Sequence, residues 1–360
     1  MTTLITPFSL LLLLLPLPNA HSPDATPRPD EASPAALQLS QEPSVDTAAF
    51  LAAFEPLRIL TLEENEDVVT VFPRMAAGRA DELLVIDVPE VQVRLYGRDG
   101  SLRTVIGRRG EGPGEFETPV SASRAMDGRI VVADPSLSRI TFFSPEGAFE
   151  NLVGNVPVRL LWDVKDLGGD RLLLLGPGGD NVGQPRFLHI WDAQAERVER
   201  RFLPMGLPEA SRPAGLSFPA VSAVVEADTI WAAWALSDTL YKFTRGGERL
   251  SEVPMPLPRP TGPVPAIEGV VPANPQAIGN ITQVADVFLL TGGEFAVQSA
   301  RMRFGDFEAD LLIMDRLGQP RLQLARSPRL LFVDHEGLYY FDDPASVLPN
   351  RLIVARLRGS

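Results

Sequence analysis

Short apolar runs separated by turn residues fill the chain from residue 57 to its end. The runs are four to seven residues long, rich in β-branched and aromatic side chains, and bounded by Gly, Asp and Pro, as in LLVID, IVVAD, TIWAAW and LYYF. No stretch carries a 3.6-residue apolar period over three or more helical turns. The pattern predicts an all-β chain.

The turns between these runs recur with a period. A short turn with an acidic residue precedes a strand six times, about 43 to 58 residues apart. The six turns are Ala80-Asp81-Glu82, Asp127-Gly128-Arg129, Gly169-Asp170-Arg171, Ala227-Asp228-Thr229, Ala285-Asp286-Val287 and Glu336-Gly337-Leu338. Gly and Asp tolerate the positive φ that tight hairpins need. Four-stranded units of this length, repeated about six times, are typical of the blades of a β-propeller.

The two ends of the chain complete one blade together. The last unit offers strands near 329–333, 338–341 and 351–356, so its outermost strand is missing. An unassigned strand at 57–62 precedes the first full unit and can fill that place, which removes open sheet edges. The sequence therefore predicts a six-bladed propeller of four-stranded antiparallel blades, the last one closed by an N-terminal strand.

The second unit has a glycine-rich segment, a proline, an Asp-Gly turn and a following strand in a recognisable order. The residues of this pattern are Gly110, Gly112, Pro113, Gly114, Phe116, Pro119, Asp127, Gly128, Ile130, Val132, Asp134, Arg139, Ile140 and Gly147. The unit resembles an NHL repeat over about 45 residues, and the other units keep mainly the turns. The resemblance implies the propeller fold but no single function, since six-bladed relatives include lyases, lactonases, sensors and binding modules.

The first 55 residues differ from the rest in composition. Residues 4–17 form an apolar run of signal-peptide length, and Ala20 can precede a cleavage point, although no Lys or Arg stands before the run. We expect a signal peptide at 1–20, with an uncleaved anchor as the alternative, and a flexible tether rich in Pro, Ala and Ser at 21–55. The propeller would then occupy 56–360. This predicts a protein exported to the periplasm or the extracellular space, without a transmembrane span in its mature chain.

Composition excludes several kinds of function. A formal net charge of -13 argues against nucleic acid as a partner, because binding phosphates needs a basic surface. The chain has no cysteine, so disulfides and thiolate sites are excluded. Its three histidines include His21 of the leader or tether, so a three-histidine zinc site cannot form in the folded part. No G-x-S-x-G motif of a serine hydrolase is present.

The long loops should gather on one face of the propeller. If strands a to d run outward from the axis, the a-to-b and c-to-d turns share one face, and the b-to-c and d-to-a connections share the other. All long segments fall in the second set: 107–119, 176–186, 204–218, 254–274 and 292–310. Loops of this length in a compact domain are usually functional or disordered, so this face is the predicted binding face.

Two groups of residues on this face are candidate ligand-binding residues. Arg108 and Arg109 lie in the glycine-rich loop, and Arg301, Arg303 and Phe304 lie in the segment 292–310. Guanidinium and aromatic groups together can hold an anionic or planar ligand. Two alternatives remain open: the first pair can bind neighbouring glutamates, and the segment can be a strand hairpin with its phenylalanines packed inward.

Acidic residues near the ends of strands b are candidate metal ligands. They are Asp87, Asp134, Asp238 and Asp342. Carboxylates that converge on the axis could bind Ca²⁺, as the resemblance to calcium-dependent lactonase-like propellers implies. The alternative is local turn capping, repeated because the blade is repeated.

The leading hypothesis is an exported module that binds a protein or a small molecule through its loop-bearing face, without a cofactor. The alternative is a divalent-metal-dependent hydrolase of the lactonase kind. The sequence does not decide whether the protein is an enzyme, and the missing catalytic motifs favour a binding protein.

Overall fold

The computed structural model describes residues 45–71, 73–77, 82–179, 185–207, 209–211, 218, 220–261, 281–303, 306–346 and 348–359. Six four-stranded antiparallel sheets make up the fold, and each sheet is one blade of a β-propeller. The first strands of neighbouring blades contact one another, which places these strands, called a, around the central channel. The predicted all-β six-bladed propeller is confirmed.

Blades 1 to 3 contain, in the order a to d, the strands β2 (Pro73–Ala77), β3 (Glu82–Asp87), β4 (Gln92–Gly97) and β5 (Leu102–Ile106); β6 (Ser121–Arg124), β7 (Ile130–Asp134), β8 (Arg139–Phe143) and β9 (Phe149–Val153); and β10 (Asp163–Asp166), β11 (Arg171–Gly178), β12 (Arg186–Asp192) and β13 (Arg197–Pro204). Blades 4 and 5 contain β14 (Val221–Glu226), β15 (Thr229–Trp234), β16 (Thr239–Thr244) and β17 (Arg249–Pro254); and β18 (Gln283–Leu289), β19 (Phe295–Arg303), β20 (Asp306–Met314) and β21 (Pro320–Ser327). Blade 6 contains β22 (Leu330–Val333), β23 (Tyr339–Asp342), β24 (Arg351–Leu357) and β1 (Phe54–Thr61). The helix α1 (Thr47–Ala53) and a 3-10 turn at Glu209–Ser211 complete the described elements.

The N-terminal strand closes the ring as the sequence predicts. β1 pairs antiparallel with β24, and Leu60 lies opposite Leu352 in this register. Blade 6 therefore holds both ends of the folded chain, and its outermost strand comes from the N-terminal side.

Both faces of each blade are covered by a neighbouring blade, which explains the continuous apolar runs. In β11, Leu172 and Leu174 pack in the layer between blades 2 and 3, whereas Leu173 and Leu175 pack in the layer between blades 3 and 4. Six such layers follow one another around the ring. A strand buried on both faces needs apolar side chains at every position rather than at alternate ones.

The helix α1 packs against the outside of blades 5 and 6. The Asp46 carboxylate accepts the Ala49 N–H at 3.0 Å and caps the helix, and the Asp46 N–H donates to the Arg326 carbonyl at 2.8 Å. Phe50 is buried, stacks on Phe54 with ring centroids 5.4 Å apart, and packs against blade 6. This helix lies inside the range 21–55 that the sequence analysis assigns to the tether; residues 1–44 lie outside the described residues.

One of the six predicted a-to-b turns is wrong. Asp286 with its two neighbours lies within β18, where a register shift between Val284 and Asp286 marks a bulge. The turn of blade 5 comes later, at Thr291, Gly292 and Gly293, with Gly293 at φ 79°. The turns of blades 2, 3, 4 and 6 are confirmed. In blade 1 only Glu82 of the predicted turn is described.

Among the described residues, no helix is long and apolar enough to cross a membrane.

Candidate functional site

The antiparallel order of each blade fixes which connections share a face. The d-to-a and b-to-c connections leave on one side, which we call the loop face, and the a-to-b and c-to-d turns lie on the other. The connections 107–120, 205–220 and 255–282 join strand d of one blade to strand a of the next and lie on the loop face. The shorter connection between β11 and β12 also lies there; residues 180–184, 208, 212–217, 219 and 262–280 of these segments lie outside the described residues.

The segment 292–310 is a β-hairpin and not a loop. β19 and β20 pair over nine residues each, with Arg301 opposite Glu308. Phe295 is fully buried in the layer between blades 4 and 5. The alternative of an extended hairpin is therefore the correct one for this segment. Phe304 and the side chain of Arg303 lie outside the described residues.

Arg301 is engaged by carboxylates of the chain itself. Its Nη2 lies 2.9 Å from Glu308 Oε2, and Arg259 Nη1 reaches the same oxygen at 2.5 Å. Arg259 also donates from Nε to Asp310 Oδ2 at 2.6 Å. Burial raises the pKa of Glu308, but the hydrogen bonds and charges of Arg259 and Arg301 outweigh burial and hold that pKa below its usual value. This network ties the 4-to-5 connection to the hairpin.

Arg108 and Arg109 belong to a loop that folds on itself. Arg108 is 81% exposed and contacts Glu115 Oε1 at 2.7 Å, while the Gly112 N–H donates to Glu115 Oε2 at 2.8 Å. These hydrogen bonds, that from Gly112 first, lower the pKa of Glu115. The backbone of Arg109 forms a bridge with Phe116. The loop lies between blades 1 and 2 and Arg301 lies in blade 5, so the structure does not bring the two groups of arginines together.

Two of the four candidate metal ligands are buried and accept backbone hydrogen bonds. Asp134 Oδ2 accepts the N–H groups of Glu117 and Thr118 at 2.7 and 3.1 Å. Asp87 Oδ2 accepts the Val71 N–H at 2.7 Å, and Arg94 Nη1 lies 3.8 Å away. In both cases the carboxylate caps the connection that enters strand a of the same blade.

The other two are half-buried and also have partners. Asp238 Oδ1 accepts the Thr261 N–H at 3.1 Å, and Asp342 Oδ2 accepts from Arg329 Nε at 2.6 Å. In the parts of the chain that the structure describes, no three His, Asp or Glu side chains lie together as a metal-binding group. The four aspartates are thus placed one per blade and are not brought together.

A different set of polar side chains gathers at the loop-face end of the channel. We call it the channel-mouth cluster; its members are Arg74, Ser121, Trp162, Asp163, Lys165, Ser222 and Asp286. Each strand a begins at the loop face, and all members except Asp286 lie in its first three residues or directly before it. The hydrogen bond between Ser222 and Asp286 brings Asp286 to the same level. Five blades contribute to this cluster.

Two of its contacts repeat the same geometry between different blades. Ser121 of blade 2 donates to Asp163 Oδ1 of blade 3, and the Val164 N–H donates to the same oxygen at 2.7 Å. Ser222 of blade 4 donates to Asp286 Oδ1 of blade 5 at 2.5 Å, and the Val287 N–H donates there at 2.9 Å. Each serine therefore links two adjacent blades through an aspartate of strand a.

The second carboxylate oxygen distinguishes the two links. Asp163 Oδ2 lies 2.7 Å from the Nζ of Lys165, two residues along the strand. The residue two positions after Asp286 is Phe288, which packs in the apolar layer between blades 5 and 6. Lysine thus neutralises the carboxylate of blade 3, and no such lysine follows the carboxylate of blade 5.

The side chain of Arg74 extends from blade 1 and contacts Trp162 at the start of blade 3. Its Nη1 donates to the Val120 carbonyl at 2.6 Å, and its guanidinium carbon lies 5.0 Å from the centre of the Trp162 ring. A cation over an indole face is held by the quadrupole of the ring. The positive charge of Arg74 favours the ionised form of both Asp163 and Asp286, although other contributions decide the net pKa of each. The carboxylates of blades 3 and 5 therefore both interact with Arg74.

The pKa values of the two aspartates are shifted in opposite directions. Burial raises the pKa of Asp163, but the charges of Lys165 and Arg74 outweigh burial, so the net pKa lies below the usual value. Burial also raises the pKa of Asp286, and there the hydrogen bond from Ser222 and the more distant cations do not compensate, so the net pKa lies above the usual value. Paired titratable groups with diverging pKa values are a common feature of functional sites.

The sequence did contain a signal for this cluster. Strands that pack between blades are apolar, yet Arg74, Asp163, Lys165 and Asp286 are charged residues within strands a. Charged residues near the end of strand a away from the loop face have partners there, as Glu226 has in Arg316, whereas these four lie toward the channel mouth. Neither histidine among the described residues belongs to this cluster: His189 is buried in β12 with Nε2 3.0 Å from the Gly176 carbonyl, and His335 lies in a turn on the opposite face.

No protein-family model and no curated protein sequence matches this chain. Solved structures share its fold. A member of the DUF4221 family from Bacteroides vulgatus superposes with a TM-score of 0.60 at 8% identity, covering 85% of this chain and 97% of that one. A Bacteroides fragilis protein whose name marks it as a candidate for export gives 0.59 at 10% identity, with 85% and 96% covered. A gluconolactonase from Xanthomonas campestris gives 0.51 at 15% identity, with 91% and 99% covered. At these identities the likeness establishes the six-bladed propeller fold and nothing finer.

Proposed function

We propose that this chain is an exported, NHL-like β-propeller that binds a small polar ligand at its channel-mouth cluster. The observation that carries the proposal is the convergence of charged and hydrogen-bonding side chains from five blades at the loop-face end of the channel. Binding sites are concave and place a few polar groups at defined positions. Because the members of the cluster come from five separate blades, closure of the propeller ring fixes their positions relative to one another.

The cluster keeps donors available for a ligand. Among the described residues, Lys165 has one carboxylate partner and Arg74 one carbonyl partner. An ammonium has three N–H donors and a guanidinium has five. Lys165 retains 31% exposure of its side chain, and Trp162 is half-buried, so both groups remain accessible from the mouth.

Export is supported by the apolar run at residues 4–17 and by the name of the Bacteroides fragilis neighbour.

The NHL-like repeat of the second unit accounts for its glycine-rich loop. Arg139 of β8 donates to the carbonyls of Glu111 and Gly112 in that loop at 2.8 and 3.1 Å. The guanidinium thereby holds the loop closed beside the entrance to strand β6.

The test is a charge series of one sugar ring. D-glucuronate, D-glucose and D-glucosamine present an anionic, a neutral and a cationic version, and thermal unfolding reports binding of each, because a ligand that binds the folded state raises Tm. We expect at least one of them to raise the Tm of the wild type and of Arg356→Ala, an exposed arginine of β24, but not of Arg74→Ala. No shift with any of the three sugars, or equal shifts in all three proteins, would contradict the proposal.

A further inference from the structure

The unequal surroundings of the two aspartates at the channel mouth carry an inference about the ligand. It rests on the proposed function, since it names the class of ligand that the same cluster takes. We propose that the channel mouth binds a small monoanion bearing hydroxyl groups, such as a sugar acid, and that Asp286 takes up a proton when the anion binds.

The net charge of the channel-mouth cluster depends on whether Asp286 is protonated. Arg74 and Lys165 contribute two positive charges, and Asp163 and Asp286 contribute two negative charges when both are ionised. The cluster then has no net positive charge to favour an anion. With a proton on Asp286 it carries one positive charge, which a monoanion balances. Anion binding and protonation of Asp286 therefore favour each other, and by linkage each strengthens the other equally.

The available atoms suit such a ligand. The N–H groups of Arg74 and Lys165 can donate to a carboxylate in charge-assisted hydrogen bonds. Asp286 Oδ1 already accepts from Ser222 and the Val287 N–H, so Oδ2 is the oxygen that can hold the proton. A protonated Oδ2 donates to the ligand, and hydroxyl groups of the ligand can donate to carboxylate oxygens at the mouth.

Burial favours the neutral form of Asp286, whereas most of the polar and charged groups around it favour the ionised form. β2 contributes Arg74, β10 contributes Asp163 and Lys165, and β14 contributes the uncharged Ser222. Gln298 of β19 lies opposite Asp286 in the sheet, and β22 contains no ionisable residue. Asp163 opposes ionisation of Asp286 by repulsion, and burial raises the pKa of Asp286 most.

The experiment is a calorimetric titration of the purified protein and of Arg74→Ala with D-glucuronate, D-glucose and D-glucosamine, at several pH values and constant ionic strength. We expect D-glucuronate to bind at least tenfold more tightly than D-glucose. The Kd for D-glucuronate should rise by up to about tenfold per pH unit above the pKa of Asp286, because tenfold per pH unit is the limit for uptake of one proton.

Three variants decide the matter. Asp286→Asn should bind D-glucuronate with a Kd that no longer depends on pH, because its amide cannot titrate. Asp228→Asn, an exposed residue in a turn of the opposite face, should keep the pH dependence of the wild type. Lys165→Met should weaken D-glucuronate binding at every pH, and this keeps the proposal testable if Asp286→Asn does not fold.

The outcomes separate this inference from the proposed function. D-glucose or D-glucosamine binding as tightly as D-glucuronate, lost in Arg74→Ala, would overturn the inference and leave the binding site standing. So would D-glucuronate binding whose pH dependence persists in Asp286→Asn. Absence of binding by all three sugars would overturn both.

Discussion

The strongest test of the candidate metal ligands is the removal of Asp87. Its side chain and that of Arg94 are both 0% exposed, and their charged atoms lie 3.8 Å apart. Arg94 also donates to the Val69 carbonyl at 2.6 Å and to Gln92 Oε1 at 2.8 Å. Replacing Asp87 by alanine would remove the carboxylate beside this buried guanidinium and would leave the Val71 N–H without its acceptor.

The expected loss of stability follows from these contacts. Breaking a buried ion pair by removing one partner costs about 3 to 5 kcal/mol. The 3.8 Å separation is long for an ion pair, so we expect the lower end, about 3 kcal/mol, for Asp87→Ala. Asp87→Asn loses the charge but keeps an acceptor oxygen for Val71, and should cost about 1 kcal/mol less. Asp238→Ala removes one hydrogen bond at a half-buried position and should cost about 1 kcal/mol.

Urea unfolding of the four proteins, with and without Ca²⁺, measures these differences as shifts in the transition midpoint at constant m. If the aspartates are structural caps, Ca²⁺ leaves every midpoint unchanged. A metal site would instead stabilise the wild type by about 2.7 kcal/mol at a hundredfold excess of Ca²⁺ over Kd. Stabilisation by Ca²⁺ that disappears in Asp87→Ala would refute the capping interpretation, and equal losses in Asp87→Ala and Asp238→Ala would refute the burial argument.

Three further predictions concern the N-terminal helix, the channel mouth and the hairpin of blade 5. Phe50→Ala should lower the free energy of unfolding by about 3 kcal/mol, against about 0.5 kcal/mol for Leu51→Ala, which is 44% exposed on the same helix; urea unfolding that shows equal losses would mean that the helix does not stabilise the propeller. Asp286→Asn should gain stability relative to the wild type as pH rises, because a carboxyl whose folded pKa is raised loses its contribution as pH passes through that pKa; unfolding midpoints that stay parallel from acid to neutral pH would contradict this. Arg259→Met should cost about 3 kcal/mol in the same assay, because it leaves the buried Asp310 carboxylate without its guanidinium; a loss under about 1 kcal/mol would show that solvent replaces the arginine.

The blades were predictable because their information is local. A run such as IVVAD after the Asp127-Gly128 turn predicts both the strand and the place where it begins, and this local pattern recurs from unit to unit. The turn of blade 5 was misplaced because Asp286 is a turn residue by propensity. In the structure its carboxylate is satisfied by Ser222 and by the Val287 N–H instead, so a contact with blade 4 overrides the local preference.

The helix before β1 was not predictable from its own residues. α1 has seven residues, which is too short to be stable alone in water. It forms because Phe50 packs against Phe54 and blade 6 and because the Asp46 N–H reaches the Arg326 carbonyl. Neither contact is visible in a composition rich in Pro, Ala and Ser.

The candidate site was missed for a different reason. Its charged members stand between positions 74 and 286 of the sequence, and only closure of the ring brings them together. The sequence-based candidates Arg108 and Arg301 came from segments predicted to be long loops, and in the structure they pair with Glu115 and Glu308. Charges in loops are common and find local partners. A charge near the loop-face start of an inner strand is rarer, and here such charges lie at the channel mouth.

The role of Asp286 can be compared with that of Asp163, which occupies an equivalent contact between two other blades. Ser121 with Asp163 and Ser222 with Asp286 form the same link between adjacent blades, so the link itself is structural and requires nothing further. What differs is the residue two positions later: Lys165 in blade 3 completes an ion pair, and Phe288 in blade 5 leaves the carboxylate beside an apolar layer. The six blades of this propeller need similar shapes for the ring to close, but they do not need to carry the same charge. The proposed proton uptake by Asp286 therefore depends on one strand position, while the serine–aspartate contacts between blades stay the same.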